Sequence, residues 1–307
     1  MKMVDSTGQL PFTLDQLAVL DAIERTGTFA GASKALHRVP SAISYTVRGL
    51  EEALGVVLFD RSGHRAVLTA DGRRLVEPAR ALLLQGRRIE RLAAELRGGW
   101  EAELEIVVDG AFPLGPIIAA VQAFSRRELP TQVQLRVEYL GGVAARFRRS
   151  RADVMLCLEP PPDSGLTSVP LPPLELVLVA APGHPLADEA ALAREDLVDH
   201  VELVVADSDP THDGRPHRLA FGSAQVFRLS DFLSKRIALL GGAGYGWLPT
   251  PLANRYLGDG RLVELALTEG SRFAFAPRLM HRSDGSLGRG GQLFEELLHE
   301  EFARALA

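Results

Sequence analysis

Apolar residues recur along the first hundred positions at helical intervals. Leu14, Leu17, Leu20 and Ile23 line one face, and Thr13 with Gln16 stands ahead of them in the arrangement of a capping box. Thr26-Gly27-Thr28 interrupts the pattern, after which Phe29, Ala32, Ala35 and Leu36 mark the apolar side of a second, short helix. Beyond the turn His37-Arg38-Val39, Pro40 suits a first helical position, and Ile43, Val47, Leu50 and Leu54 follow at spacings of four, three and four. The opposite side of this third helix is polar: Ser41, Tyr45, Arg48 and Glu52 lie within about 40° of the direction opposite Ile43. Short apolar runs at 55–59 and 66–68 around the polar turn 60–65 predict a hairpin. From Thr69 onward Leu75, Ala79, Leu82, Gly86, Ile89, Ala93 and Leu96 form a heptad seam, ended by Gly98-Gly99.

The remainder alternates between strand and helix patterns. Leu104 to Val108 predicts a strand, Leu114 to Phe124 a helix, Val133 to Tyr139 and Ala152 to Leu158 further strands. A second block repeats the alternation with Leu174 to Val179, Val201 to Val205, Gln225 to Leu229 and a helix over Asp231 to Leu240, and a last helix covers Leu293 to Leu306. The implied class is α/β overall, with helix-turn-helix and hairpin at the front, a long linker helix, then an α/β body.

Charge divides the chain at the same place. The net charge is −5, yet residues 1–100 hold 14 Lys and Arg against 11 Asp and Glu, and the rest holds 20 against 28. A basic front on an acidic body directs any polyanion to the front, although a solvated basic face would carry the same charges. At 307 residues and 46% hydrophobic content, long disorder is excluded. No stretch approaches the roughly 18 uninterrupted apolar residues of a membrane helix, and the first residues lack an export signal. A soluble, cytoplasmic protein with no membrane partner is expected. One cysteine, Cys157, excludes an internal disulfide and a CxxC pair, and its apolar neighbours predict an inert buried thiol.

Two short helices, a three-residue turn and a third helix with hydroxyls and an arginine outward fit a helix-turn-helix reading the major groove. An ordinary amphipathic helix with a solvent face fits the same pattern. Arg61 and Arg65 at the hairpin tip can grip backbone or minor groove. The heptad seam calls for a partner helix, in a homodimer or on the chain's own body. In the α/β body, ligands belong beyond the carboxyl ends of strands. The first exit offers Asp109, Gly110, Ala111 and Phe112, and a later one Asp207 and Ser208. A carboxylate there repels an anion and accepts from hydroxyl or ammonium groups, which favours a neutral or cationic effector, a hydroxylated aromatic among them. Asp109 as a helix cap or arginine partner is the competing reading. His212 and His217 with Asp207, Asp209 and Asp213 match no compact metal-ligand spacing, Gly242, Gly244 and Gly246 lack the dinucleotide fingerprint, and no GxSxG elbow occurs. No metal, cofactor or catalytic set is expected.

The segment GTFAGASKALHRVPSAISYTVRGLEEALGVVLFDR, within Phe12 to Thr69, closely resembles the winged helix-turn-helix of LysR-type transcriptional regulators, and the likeness extends over the whole chain. Many members carry Ser-Gln-Pro-Ala at the start of the recognition helix, where this chain has Val39-Pro40-Ser41-Ala42. The resemblance implies a DNA-binding domain over 12–69, a dimerising linker helix over 70–98, and a two-lobed effector domain over 101–307 similar to periplasmic binding proteins. Lobe one is expected near 101–172 and 277–307, lobe two near 173–276. DNA-facing residues would be Arg38, Pro40, Ser41, Ser44, Tyr45 and Arg48, with Arg61 and Arg65 in the wing. By the same resemblance the turn from Gly242 to Trp247 brings Tyr245 and Trp247 to the cleft. Implied partners are double-stranded DNA bearing an interrupted inverted repeat, a second copy or a tetramer, RNA polymerase, and an effector that closes the cleft. A solute-binding protein, or an α/β enzyme with an accessory helical domain, remain as alternatives.

Overall fold

The computed structural model describes residues 10–60, 67–96, 100–150, 152–162, 165–209, 211, 219–283 and 287–306. They fall into two compact units divided after Gly98. In the first, helices α1 (Leu14–Thr26), α2 (Phe29–Ala35) and α3 (Pro40–Leu54) are followed by strands β1 (Phe59–Asp60) and β2 (Val67–Leu68) and by α4 (Ala70–Leu96). The capping box is made on both sides, with the Gln16 amide donating to Thr13 Oγ1 at 3.2 Å and the Thr13 amide donating to Gln16 Oε1 at 2.8 Å. Gly27, at φ +69°, ends α1 in the left-handed conformation that favours glycine. Leu20, Ile23, Ile43, Val47 and Leu50 meet in one buried core with Leu58, Phe59, Val76 and Ala79.

Two features of this unit depart from the pattern. On α2 the buried small residues are Ala32 and Ser33, while Ala35 is exposed. Ser33 gains its place because its hydroxyl donates to the Arg38 carbonyl, tying helix to turn. On α4 the heptad seam is shared out: Ala79 joins the unit's own core beside Val76, with Leu75 and Leu83 packed against it. Leu82 and Ile89 remain 41% and 70% exposed. Pro78 lies inside this helix and deprives the preceding turn of one backbone donor.

The second unit contains two sheets. The first takes β3 (Glu103–Asp109), α5 (Leu114–Ser125), β4 (Gln132–Glu138), α6 (Gly141–Arg149), β5 (Val154–Cys157) and β6 (Leu166–Pro170). The chain then builds the second from β7 (Leu174–Ala180), α7 (Arg194–Leu197), β8 (Glu202–Val205), β9 (Val226–Leu229), α8 (Phe232–Leu240), β10 (Tyr245–Pro249), α9 (Thr250–Gly258), β11 (Val263–Glu264) and β12 (Arg272–Phe275). It returns through β13 (Arg278–Arg282) and α10 (Arg289–Leu306). Among the described residues, the first sheet has the order β4-β3-β5-β13-β6, and the second β11-β7-β10-β8-β9 with β12 also on β7. The chain therefore crosses between sheets twice, as two lobes joined by two connections.

Alternation along the strands covers both faces of the first sheet. Ile106 and Val108 face a cluster with Ile117 of α5 and Phe294 of α10, whereas Val107 and Met155 face Val143 and Phe147 of α6. Cys157 is buried beside Met280 Sδ at 3.6 Å, and burial pushes its thiol up to about 12. The segment at Tyr245 to Trp247, expected as a turn, is strand β10. Gly242, at φ +72°, keeps left-handed turn geometry, and Trp247 pairs with Leu178 in the antiparallel β7–β10 ladder. The last helix starts at Arg289 rather than Leu293, since the backbone amides of Gly290 and Gly291 find an acceptor in Glu101 at 3.0 and 2.9 Å. Among the described residues no helix is long and apolar enough to cross a membrane.

Candidate functional site

In the first unit the outward face of α3 is assembled as its periodicity requires. Ser41, Tyr45, Arg48 and Glu52 are exposed, Tyr45 to 81%, while Ile43, Val47 and Leu50 are buried beneath. A groove between α3 and the start of α1 is lined by Thr13, Gln16, Tyr45, Thr46 and Arg48 among others. Thr13, Gln16 and Thr46 carried no sequence signal for such a face, because capping and helix-interior positions explain them already. Pro40 and Arg38 are exposed and Ser44 is half-buried. Arg38 meets the Asp15 carboxylate with two nitrogens at 2.9 and 2.6 Å, and this arginine holds the Asp15 carboxyl below its ordinary value. The Glu51 carboxylate accepts from the Leu58 and Phe59 amides at 2.8 and 3.2 Å and fastens the hairpin to α3. Arg61, His64 and Arg65 lie outside the described residues, as do His212, Asp213 and His217.

In the second unit the carboxyl ends of β3, β4 and β8 converge on a cavity of about 60 Å³. Asp109 and Leu140 from the first lobe and Glu202, Phe232, Lys235 and Trp247 from the second are among its walls. Asp109 is 3% exposed. One of its oxygens accepts from the Ala111 amide at 2.9 Å and the other from the Leu140 amide at 3.2 Å. Burial pushes its carboxyl up to about 7 against those two bonds, with the charge of Asp207 adding to the rise. Its carboxylate thus braces two strand exits instead of capping α5, where Pro113 occupies the cap. Leu140 pays for this in backbone strain, at φ +56° and ψ −126° without being glycine. A Cβ on Gly110 would lie 2.2 Å from the Tyr139 ring, so any larger residue there displaces that ring.

The other residues expected at the cleft are distributed differently. Ala111 and Phe112 are buried, Phe112 with its ring 6.4 Å from Phe302 of α10. Tyr245 is fully buried and its hydroxyl pairs with that of Ser223 at 2.7 Å. Trp247 lines the cavity, stacks on Phe221 and donates from Nε1 to the Leu219 carbonyl at 3.1 Å. Asp207 and Ser208 bridge the lobes instead of lining the cavity. The Asp207 carboxylate accepts from the Gly141 and Gly142 amides at 3.1 and 3.0 Å, and Ser208 Oγ accepts from the Tyr139 amide at 2.9 Å. A Cβ on Gly142 would fall 1.8 Å from Ser208 Oγ, so the approach depends on glycine.

Of the cavity residues that sequence reading missed, Tyr139, Leu140, Glu202, Phe232 and Phe275 among them, Lys235 is the cationic one. It is 4% exposed on α8, and burial pushes its ammonium down to about 7 against the favourable charge of Glu202. Glu202 itself spends its two oxygens on the Phe221 amide at 3.1 and 3.3 Å. No local signal marked it: Lys235 shares the buried side of α8 with Leu239, four places on, while Leu233 and Ile237 are exposed.

Comparison with known proteins agrees with this architecture. Residues 14–73 match the bacterial regulatory helix-turn-helix family of the LysR type, and residues 97–303 match the LysR substrate binding domain. The chain is 38% identical over 254 residues to the HTH-type transcriptional regulator YeeY of Escherichia coli K12, covering 82% of each. It is 37% identical over 257 residues to the probable HTH-type transcriptional regulator YhaJ of the same organism, covering 81% of this chain and 84% of that one. Among solved structures, full-length OxyR C199D of Pseudomonas aeruginosa superposes with a TM-score of 0.64 at 19% identity, covering 95% and 94% of the two chains. ArgP of Mycobacterium tuberculosis gives 0.63 at 21%, covering 94% and 96%. These two likenesses establish the fold. With its helix-turn-helix, its two-sheet effector domain and both family matches, the chain belongs to the LysR family of transcriptional regulators, which are not enzymes.

Proposed function

We propose that this regulator binds an interrupted inverted repeat in double-stranded DNA as a homodimer paired through 70–98, with a tetramer as the larger assembly. Its DNA-binding domain spans 12–69 and its effector domain 101–307. The observation that carries the reading is the outward row Ser41, Tyr45 and Arg48 on a helix whose opposite face is wholly buried. Pro40 starts this helix, and Ser44 flanks the row. Arg38 contributes positive potential while held by Asp15, and Arg61 and Arg65 extend the contact from the wing. Hydroxyls and arginine are suited to phosphates and base edges, and a two-fold dimer favours a two-fold operator.

The effector is a small hydroxylated aromatic bound between the lobes, where Asp109 receives its hydroxyl and Trp247 supplies an apolar wall. Gly110 and Ala111 shape the loop that presents Asp109, while Phe112 and Tyr245 lie buried in the core shared by the lobes. Binding shifts the population of lobe arrangements, and the paired DNA-reading units and RNA polymerase respond in the cytoplasm. Fluorescence anisotropy with genomic fragments flanking the gene tests the DNA-binding half. Affinity falling steeply with salt is expected. Arg48→Ala is expected to weaken the specific site by about 1–3 kcal/mol, and a smaller loss removes Arg48 from base reading.

A further inference from the structure

The second lobe places a largely buried lysine at the cavity, and among the described residues its ammonium has no hydrogen-bond acceptor. Lys235 lines the space between the lobes at 4% exposure. Among the described residues none accepts a hydrogen bond from its ammonium; the Phe232 ring lies 5.9 Å away and Glu202 acts on it through charge alone. Facing into the same cavity from the first lobe is Asp109, each oxygen of which takes one backbone amide and keeps acceptor capacity in reserve. The same cavity is lined by the aromatic residues Tyr139, Phe232, Trp247 and Phe275.

An ammonium on a largely buried side chain without protein acceptors is costly, and a ligand oxygen carrying negative charge in the cavity offsets that cost. Aromatic walls suit a flat ring. We propose that Lys235 and Asp109 form a two-point site for a small hydroxylated aromatic whose second oxygen is ionised, a carboxylate or a phenolate. The ionised oxygen sits on the Lys235 ammonium and the hydroxyl donates to Asp109. The assignment rests on the reading of the chain as an effector-controlled regulator and gives the effector its second functional group, replacing the neutral or cationic effector expected from Asp109 alone because Lys235 supplies the opposite charge. It also sets a condition on entry. A benzene-sized ring occupies an apolar cavity of about 150 Å³, so the present 60 Å³ admits it only when the lobes part where Asp207 and Ser208 bridge them.

The test is calorimetric titration of the full-length protein with 4-hydroxybenzoate, hydroquinone, phenol and benzoate, with DNA affinity measured on the same preparation. At least one of the first two is expected to bind ten-fold or more tightly than both phenol and benzoate. Preference for 4-hydroxybenzoate identifies the carboxylate, and preference for hydroquinone with proton release to buffer identifies the phenolate. Lys235→Met, which keeps an unbranched chain of similar length, is expected to erase the advantage over phenol, and Lys235→Gln serves if the Met variant does not fold. Retention of that advantage in the variant, or equal binding of all four compounds to the native protein, overturns the proposal. So does failure of all four to bind, and intact DNA binding in that case leaves the regulator reading standing.

Discussion

Arg80 shows how much a single side chain settles in the DNA-binding unit. Buried to 7% exposure on α4, it donates from Nε to Asp21 of α1 at 2.7 Å and also engages Glu24 and Glu77. Burial works against its charge, and Asp21 and Glu24 more than restore it. Asp21 is itself only 9% exposed, so removal of the guanidinium leaves a carboxylate in a poorly solvated place with Arg25 as its remaining cation, at 3.2 Å. Arg80→Ala is expected to destabilise this unit by about 3–5 kcal/mol, the usual loss when one partner of a buried ion pair is deleted. Urea unfolding followed by helical circular dichroism measures it, and a loss below about 1 kcal/mol would place the cluster with ordinary surface pairs. Neither Arg80 nor Lys235 was legible as buried. A charged residue on a helix is normally solvated, and only packing against α1 in one case and against β8 and β10 in the other reverses that.

At the scale of elements, legibility followed whether local chemistry was sufficient. The capping box of α1, Pro40 opening α3 and the Ile43, Val47, Leu50 stripe are local signals, and each appears where its spacing placed it. Helix α6 was not anticipated: Gly141-Gly142 is a poor helix start, and it is stabilised by acceptors from Asp207, more than sixty residues away in sequence. Strand β10 was hidden for a related reason. Its glycines suggested a turn, but Gly246 is required because a Cβ would lie 2.5 Å from the Leu203 carbonyl on the neighbouring strand. The seam of α4 was legible as apolar, though not in its division of labour. Since Ala79 is spent on the unit's own core, Leu82 and Ile89 are the large exposed residues among the described part of the seam left for a second copy. Leu82→Glu combined with Ile89→Glu is therefore expected to shift the protein from dimer toward monomer in sedimentation equilibrium while leaving its helical content within a few per cent. An unchanged mass would assign the pairing to other surfaces.

For the molecule as a whole, the effector domain's behaviour turns on the bridge between its lobes. Asp207 and Ser208 hold the exit of β4 and the start of α6 through a few hydrogen bonds, each worth about 0.5–1.5 kcal/mol net. Their sum is the size of the gap a ligand must tip to redistribute two conformations. Asp207 was expected to touch effector, yet its carboxylate lies on the amino end of α6, where it satisfies two helix donors. The two roles make opposite predictions for Asp207→Ala. If the side chain holds effector, affinity for a hydroxylated aromatic falls. If it holds the lobes together, the variant exposes the Gly141 and Gly142 amides, their hydrogen exchange accelerates while that of β3 is unchanged, and the aromatic associates faster because less work is needed to part the lobes. The second outcome is expected, since the cavity beneath the bridge is too small for a ring as it stands. Unaltered exchange at both glycines would mean that the lobes are held without Asp207, by Ser208, by the Arg149–Asp209 pair at 3.6 Å and by their shared apolar core from Ile106 and Val108 through Leu176 and Trp247.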